Sequence, residues 1–283
     1  WTFLPGATHW IAALLAGMLA GMAWGMAVGL FKALLNVHEV ITSIMLNYIG
    51  MYGINYLIKN SHLFDPLKNQ TVNVAASAVI PKAGLDQVFY ILKGKYQDAS
   101  AVNAGILIAI GLALVIYILL NKTTFGFELK ACGYNRHASR YAGISESRAI
   151  ITSMAIAGGL AGIAGALMYL APASGMHIHV AEVLAEQGFN GIAVALLGMS
   201  NPLGIIFTGL FIAHITVGGS YLQSLRYMKE IIEVIIGLII YFSAFSLLVR
   251  DVIARAGKRR ARKTRLAARE GQDDLSIQEE VDG

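Results

Sequence analysis

Residues 2–31 read TFLPGATHWIAALLAGMLAGMAWGMAVGLF, thirty positions without one Asp, Glu, Lys or Arg. A helix needs roughly 20 apolar residues to cross about 30 Å of hydrocarbon, so this stretch reads as a membrane span. Gly17, Gly21, Gly25 and Gly29 recur in it at every fourth position, which leaves one helix face without side chains. In lipid, where no water exclusion pulls helices together, such a strip lets a second backbone approach closely. Helix packing is the role predicted for these four glycines.

Outward from this run the same signature repeats. Formal charge is absent from 40–58, 99–121, 149–181, 187–225 and 234–249. The run 187–225 is too long for one crossing and contains Ser200-Asn201-Pro202, a turn signal that divides it into 189–199 and 203–217. The first piece is short for a full crossing and reads as an interrupted or re-entrant helix, tolerated at membrane depth only against protein or an aqueous cavity. The fold class is therefore all-α: a polytopic transmembrane helical bundle of about seven membrane segments, 189–199 being short or interrupted. Composition agrees, since 56% of the 283 residues are hydrophobic and only 14% charged, against roughly 25% charged in soluble domains. That excludes a soluble enzyme, a nucleic-acid-binding domain and a disordered chain. Cys132 is the single cysteine, so no intrachain disulfide forms.

Seven crossings place Lys32, the 121–148 loop and everything after Val249 on one face, with fifteen basic residues against seven on the other. The richer face is cytoplasmic by the positive-inside rule, which puts the C-terminus inside and Trp1 outside. The chain opens without Met or a basic, signal-like stretch. An external start without a signal leads to the expectation of an upstream crossing.

Thr42, Asn47 and Asn55 put polar groups at lipid depth, where they must face protein or water. Glu39, at the start of their helix, is favoured there by the helix dipole. The external segment 59–100, with Pro66, Pro81, Gly84 and Gly94, reads as loop with a short surface helix and nothing catalytic. The loop TTFGFELKACGYNRHASRYAGI at 123–144 mixes apolar anchors, charges and Gly breaks. In it 138–141 is predicted as a short helix capped by Asn135 and stopped by Gly143. Tyr134, Tyr141 and Ile144 read as a surface to be buried against a partner. Glycines 158, 159, 162 and 165 indicate close helix packing; no strand precedes them, which removes a dinucleotide fingerprint. His177 and His179 are too few for a zinc site and are assigned to the external mouth; no metal is expected. Glu230 and Glu233 open the last span, where a proton relay competes with simple favour by the helix dipole. Residues 250–283, basic and then acidic, form a charged cytoplasmic tail expected to be disordered or held near anionic lipid.

The runs EVITSIMLNYI at 39–49 and GFNGIAVALLG at 188–198, in order with the loop 126–144, resemble the bacterial ABC-importer permeases of the branched-chain amino acid, ribose and nucleoside group. Within that group the resemblance, covering about 10–245, is closest to nucleoside-type permeases that work with an external lipoprotein receptor. The group usually has Asn where His38 stands, often Asp where Asn190 stands, and an upstream helical segment. The resemblance implies one permease domain, 1–249, lacking that segment, and a multi-pass protein of the bacterial plasma membrane. It implies import of purine or other nucleosides by alternating access. A coupling helix in the 121–148 loop would dock on the ATP-binding subunit through Gly126, Phe127, Glu128, Lys130, Gly133, Asn135, Arg136, Tyr141 and Gly143. A second permease subunit, a solute-binding lipoprotein and membrane lipid complete the expected partners, with no nucleic acid among them. Thr42, Asn47, Phe189 and Asn190 are the expected pathway residues, amides for hydrogen bonds and an aromatic face for stacking. No Gly-x-x-x-x-Gly-Lys-Ser/Thr occurs in the chain, so ATP and Mg belong to a separate subunit and this chain is not an enzyme and binds no cofactor. The alternatives are a sugar or branched-chain amino acid permease, or a proton-coupled secondary transporter using Glu182, Glu186 or Glu233. A membrane hydrolase lacks its constellation, since His214 has no evident partner at depth.

Overall fold

The computed structural model describes residues 6–85, 102–171 and 177–222, together with 231–232, 234–239, 241–242 and 245. The chain divides after Glu186 into two compact units. In the first, α1 (Gly6–Leu35) and α2 (Glu39–Lys59) precede a two-stranded hairpin, β1 (Phe64–Asp65) and β2 (Gln70–Thr71), and a 3-10 turn at Ala76–Ala78. Helices α3 (Gly105–Lys122), α4 (Thr124–Tyr134), α5 (Arg136–Tyr141) and α6 (Glu146–Leu170) follow. The second holds α7 (Glu186–Leu197), α8 (Pro202–Leu222) and the described helical residues from 231 to 245.

The glycine strip of α1 meets α6, and α6 answers with its own glycines. A Cβ on Gly25 would lie 2.9 Å from Gly158 Cα, and one on Gly21 2.8 Å from Gly162 Cα. In return, a Cβ on Gly158 or Gly162 would strike the carbonyl oxygen of Gly21 or Gly17. The two backbones touch, which only residues without side chains permit. At one end of this pair the segment after the hairpin folds back into the bundle. Ile80, 1% exposed, and Ala78 pack with Leu14, Ile163 and Leu170, while Ile108 and Leu112 of α3 close the cluster. The Ile80 amide donates to Leu170 O at 3.1 Å, and His9 Nδ1 lies 2.8 Å from Ser77 Oγ. The hairpin in turn holds residues 178–180: the Thr71 amide donates to Ile178 O at 2.9 Å, the Val180 amide to Asn69 O at 3.1 Å. The segment read as loop thus carries an antiparallel hairpin and a single 3-10 turn within residues 60–85.

Among the described residues, four helices are long and apolar enough to cross a membrane: Thr8–Leu35, Gly105–Lys122, Glu146–Leu170 and Pro202–Gly219. Helix α2 matches the predicted second crossing in length, at 21 residues, but its asparagines, glycines and tyrosines dilute its hydropathy and it is not among the four. In the charge-free run 149–181 the helix ends at Leu170, and 178–180 are extended against the hairpin. Helix α7, with 12 residues, rises about 18 Å and is too short to cross, as expected. It stops where Met199 and Ser200 take φ of 55° and 54°. Asn201 Oδ1 then caps α8 by accepting from the Leu203 amide at 3.0 Å, with Pro202 at the first helical position. Within this second unit Ile212, Ile232 and Ile236 form the core, with Val194 and Leu197 against it. Glu230, Glu233 and the tail 250–283 lie outside the described residues.

Candidate functional site

The 121–148 loop is structured throughout. Thr123 caps α4 through its hydroxyl, which accepts from the Gly126 amide at 3.0 Å, and Asn135 Oδ1 caps α5 by accepting from the Ala138 amide at 3.1 Å. Helix α5 starts two residues before the predicted 138–141 and ends as predicted. The Gly143 amide donates to Arg140 O and the Ile144 amide to Ser139 O, with Gly143 at φ +80°, a left-handed cap that glycine adopts without strain. Helix α4 runs through Gly126 and Gly133, which the residue pattern by itself marks as breaks. Gly126 instead marks a close approach: a Cβ there would lie 2.6 Å from Leu120 Cα at the α3–α4 corner.

The pair is two-faced. Gly126, Cys132 and Ser139 are buried, whereas Phe127, Tyr134 and Tyr141 are 69%, 90% and 95% exposed. Glu128 and Lys130 lie on the outer side, Lys130 Nζ donating to Asn121 Oδ1 at 2.6 Å. Arg136 Nη1 sits 3.5 Å from Glu146 Oε1, a half-exposed pair worth about 0–1 kcal/mol. Beneath the pair lies a cavity of about 190 Å³ lined by Lys32, Glu39, Leu129, Cys132, Arg136 and Met154. A second of about 160 Å³ shares Lys32 and Arg136 and adds Asn36 and Glu146. The helix pair therefore rests on the ends of α1, α2 and α6 with space under it.

The turn between α1 and α2 explains one departure from the resembled group. Asn36 takes the left-handed φ of 51°, which Asn tolerates better than most residues. His38 is the N-cap of α2, its Nδ1 accepting from the Val40 amide at 3.3 Å. Position 38 thus caps a helix, the task Asn performs well. Lys32 Nζ lies 2.7 Å from Glu39 Oε2. The Lys32 ammonium, and after it the residue's own backbone, hold the Glu39 carboxyl down at about 2.

The four expected pathway residues divide between the units. Thr42 is buried, and its hydroxyl donates back to His38 O at 3.2 Å within the first turn of α2. Asn47 is exposed on the same helix; Phe189, 66% exposed, and Asn190 project from the first turns of α7. Asn55, further along the same helix, donates through Nδ2 to Ala181 O at 2.9 Å. His177 and His179 face each other with Nε2 atoms 3.0 Å apart. No group of three or more His, Cys, Asp or Glu able to hold a metal occurs among the described residues.

Apolar helices of membrane length, with a capped helix pair between two of them in the chain, mark a membrane protein. The chain matches, over residues 2–244, the family described as branched-chain amino acid transport system, permease component, and it belongs to that family. It is 34% identical over 258 residues to the guanosine ABC transporter permease protein NupP of Bacillus subtilis, covering 91% of this chain and 71% of that protein. It is likewise 34% identical to the nucleoside ABC transporter permease protein NupB of Lactococcus lactis, covering 80% of this chain and 61% of NupB. At 29% identity it is similar to the glucose ABC transporter permease protein TsgB13 of Haloferax volcanii, with 75% and 54% covered. The chain thus spans roughly three fifths to seven tenths of the first two relatives. No solved structure matches it.

Proposed function

We propose that this permease carries nucleosides, purine nucleosides first, as a subunit of an ATP-driven importer. The observation that carries the coupling half of this reading is the two-faced α4–α5 pair: an inner face already packed, and an outer face with Phe127, Tyr134 and Tyr141 open. Large aromatics left open on a capped, preformed element are what an interface centre needs. The substrate half rests on the guanosine and nucleoside permeases among the relatives. In this reading α4 and α5 dock on a separate ATP-binding subunit that holds ATP and Mg. A second permease subunit and an external lipoprotein receptor complete the assembly in a bacterial plasma membrane, with the C-terminus cytoplasmic. Asn47, Phe189 and Asn190 line the pathway, and Thr42 shapes the start of α2 beside it.

The test is reconstitution with the cognate ATPase and receptor in liposomes, reading ATP hydrolysis and uptake of labelled guanosine. Guanosine is expected to stimulate both. Stimulation by glucose or leucine alone moves the substrate to sugars or amino acids, a reading that the TsgB13 similarity keeps in the assay. Uptake that needs a proton gradient and survives loss of the ATPase refutes the importer. The variants Tyr141→Ala and Arg136→Ala should hydrolyse ATP without import; coupling intact in both removes α5 from the docking role.

A further inference from the structure

The hairpin pins residues 178–180 through side chains as well as backbone. The Thr71 amide donates to Ile178 O and the Ile178 amide to Thr71 Oγ1, both at 2.9 Å. The Val180 amide donates to Asn69 O at 3.1 Å, and Asn69 Nδ2 to Val180 O at 3.0 Å. Backbone fixed in extended form sends alternate side chains to one face, and His177 and His179 emerge together. Gln70 pairs with His179 across an antiparallel bridge, which puts its carboxamide on that face too. The two Nε2 atoms lie 3.0 Å apart, with ring planes at 87° and centroids 4.5 Å apart. Rings joined by a straight N–H···N hydrogen bond lie end to end, with centroids further apart than this, so any such bond here is bent. The same spacing suits a shared metal ion. Nitrogens bound at about 2.0–2.1 Å and held 3.0 Å apart subtend about 94° at the ion. That is close to the right angle between neighbouring positions of a tetragonal ion and small for a tetrahedral one.

We infer that His177 and His179 anchor a binding site for one divalent transition-metal ion of the copper or nickel class, through both Nε2 atoms, with Gln70 beside them. Two imidazoles are too few for the closed four-ligand site of a structural zinc, as the sequence indicates. They are enough for an ion that keeps water at its other positions, and the site is open to water, His177 being half-buried and His179 exposed. Binding requires both Nε2 atoms bare and the protons on Nδ1, a tautomer each ring reaches without moving. Because the hairpin already fixes the backbone between the two rings, little ordering is left for the ion to impose. The site is independent of the solute carried.

The test uses the full chain in detergent, purified without a histidine tag and in a Cys132→Ala background that removes the single thiol. Copper(II) alone is titrated in and followed by calorimetry and electron paramagnetic resonance. One equivalent should bind with the hyperfine signature of two imidazole nitrogens. Loss of one imidazole leaves a single anchoring nitrogen, so His179→Ala should weaken copper at least about 100-fold, above the range for losing a group that only hydrogen-bonds a ligand. His137→Ala, on α5, should leave the affinity unchanged. Copper should also raise the thermal midpoint of the parent chain and not that of His179→Ala, since an ion held by the folded state stabilises it. A parent chain that takes up no copper overturns the site and leaves the two rings as a bent hydrogen bond. So does a His177→Ala/His179→Ala double variant that melts like the parent and keeps the copper signal. Where the double variant melts lower, the parent spectrum decides alone: fewer than two imidazole nitrogens on the ion overturns the site.

Discussion

Single residues decide how closely this molecule packs. At Gly25 a methyl group would meet the Met154 carbonyl and the Gly158 backbone, and backbone cannot swing aside as a side chain can. Gly25→Ala should therefore lower the thermal midpoint of the detergent-solubilised chain, by about 1–3 kcal/mol of stability, the usual cost of overpacking. Gly111→Ala, where nothing lies within 4 Å of the added Cβ, should stay within about 1 kcal/mol of wild type or gain slightly. Equal losses at both positions would deny the strip its contact role. Glu39 gives a pH signature. Its carboxyl is held at about 2, against an ordinary 4.5, by the Lys32 ammonium. A lowered carboxyl contributes stability above its unfolded value and loses it as pH falls, here between about 4.5 and 2. Thermal midpoints should separate wild type from Glu39→Gln near neutral pH and converge across that window. A gap that persists at pH 2 would count against the ion pair.

Among elements, the caps carry the local logic. Asn135→Ala removes the side-chain acceptor at the start of α5 and should cost about 1 kcal/mol. Protease cleavage between α4 and α5 should rise while the membrane helices stay resistant. His38→Asn places a better capping residue at the start of α2 and should stabilise by a few tenths to about 1 kcal/mol, read as a higher thermal midpoint. A fall there would mean that His38 serves something beyond capping. The loop around these caps was partly legible in sequence. Asn135 and Gly143 have the chemistry of a cap and a left-handed stop, so α5 was visible. Gly126 carries no mark distinguishing a break from a close approach, and α4 was lost to that ambiguity. The broken α7 was visible because Ser200-Asn201-Pro202 spells a turn.

For the molecule as a whole, the fold-back segment ties helices distant in sequence. Ile80 touches the cluster built from α1, α3 and α6, and Ile80→Ala should cost about 2–4 kcal/mol, with the loss shared by all three helices in hydrogen exchange. Exchange confined to residues 72–85 would show the segment to be an ornament on a bundle that stands without it. The α4–α5 pair is held in the same way, by helices that begin far apart: Lys32 of α1, Glu39 of α2 and Met154 of α6 meet Leu129 and Cys132 around one cavity.

The residues by themselves determined the class. Long uncharged runs leave a chain no stable place but lipid, and lipid admits only segments that satisfy their own backbone, so an all-helical bundle followed from composition and spacing. The glycine repeat foretold a close packing but could not name its partner, because a smooth face fits any other smooth face. Tertiary structure chose α6. It also placed Ile178 to Val180 against the hairpin through hydrogen bonds spanning more than a hundred residues. It turned Thr42 inward and the tyrosines of α2 outward, which helical periodicity permits in any rotation and only the contact with α1 selects. Which face of a uniformly apolar helix meets protein is a question that its sequence poses and its neighbours answer.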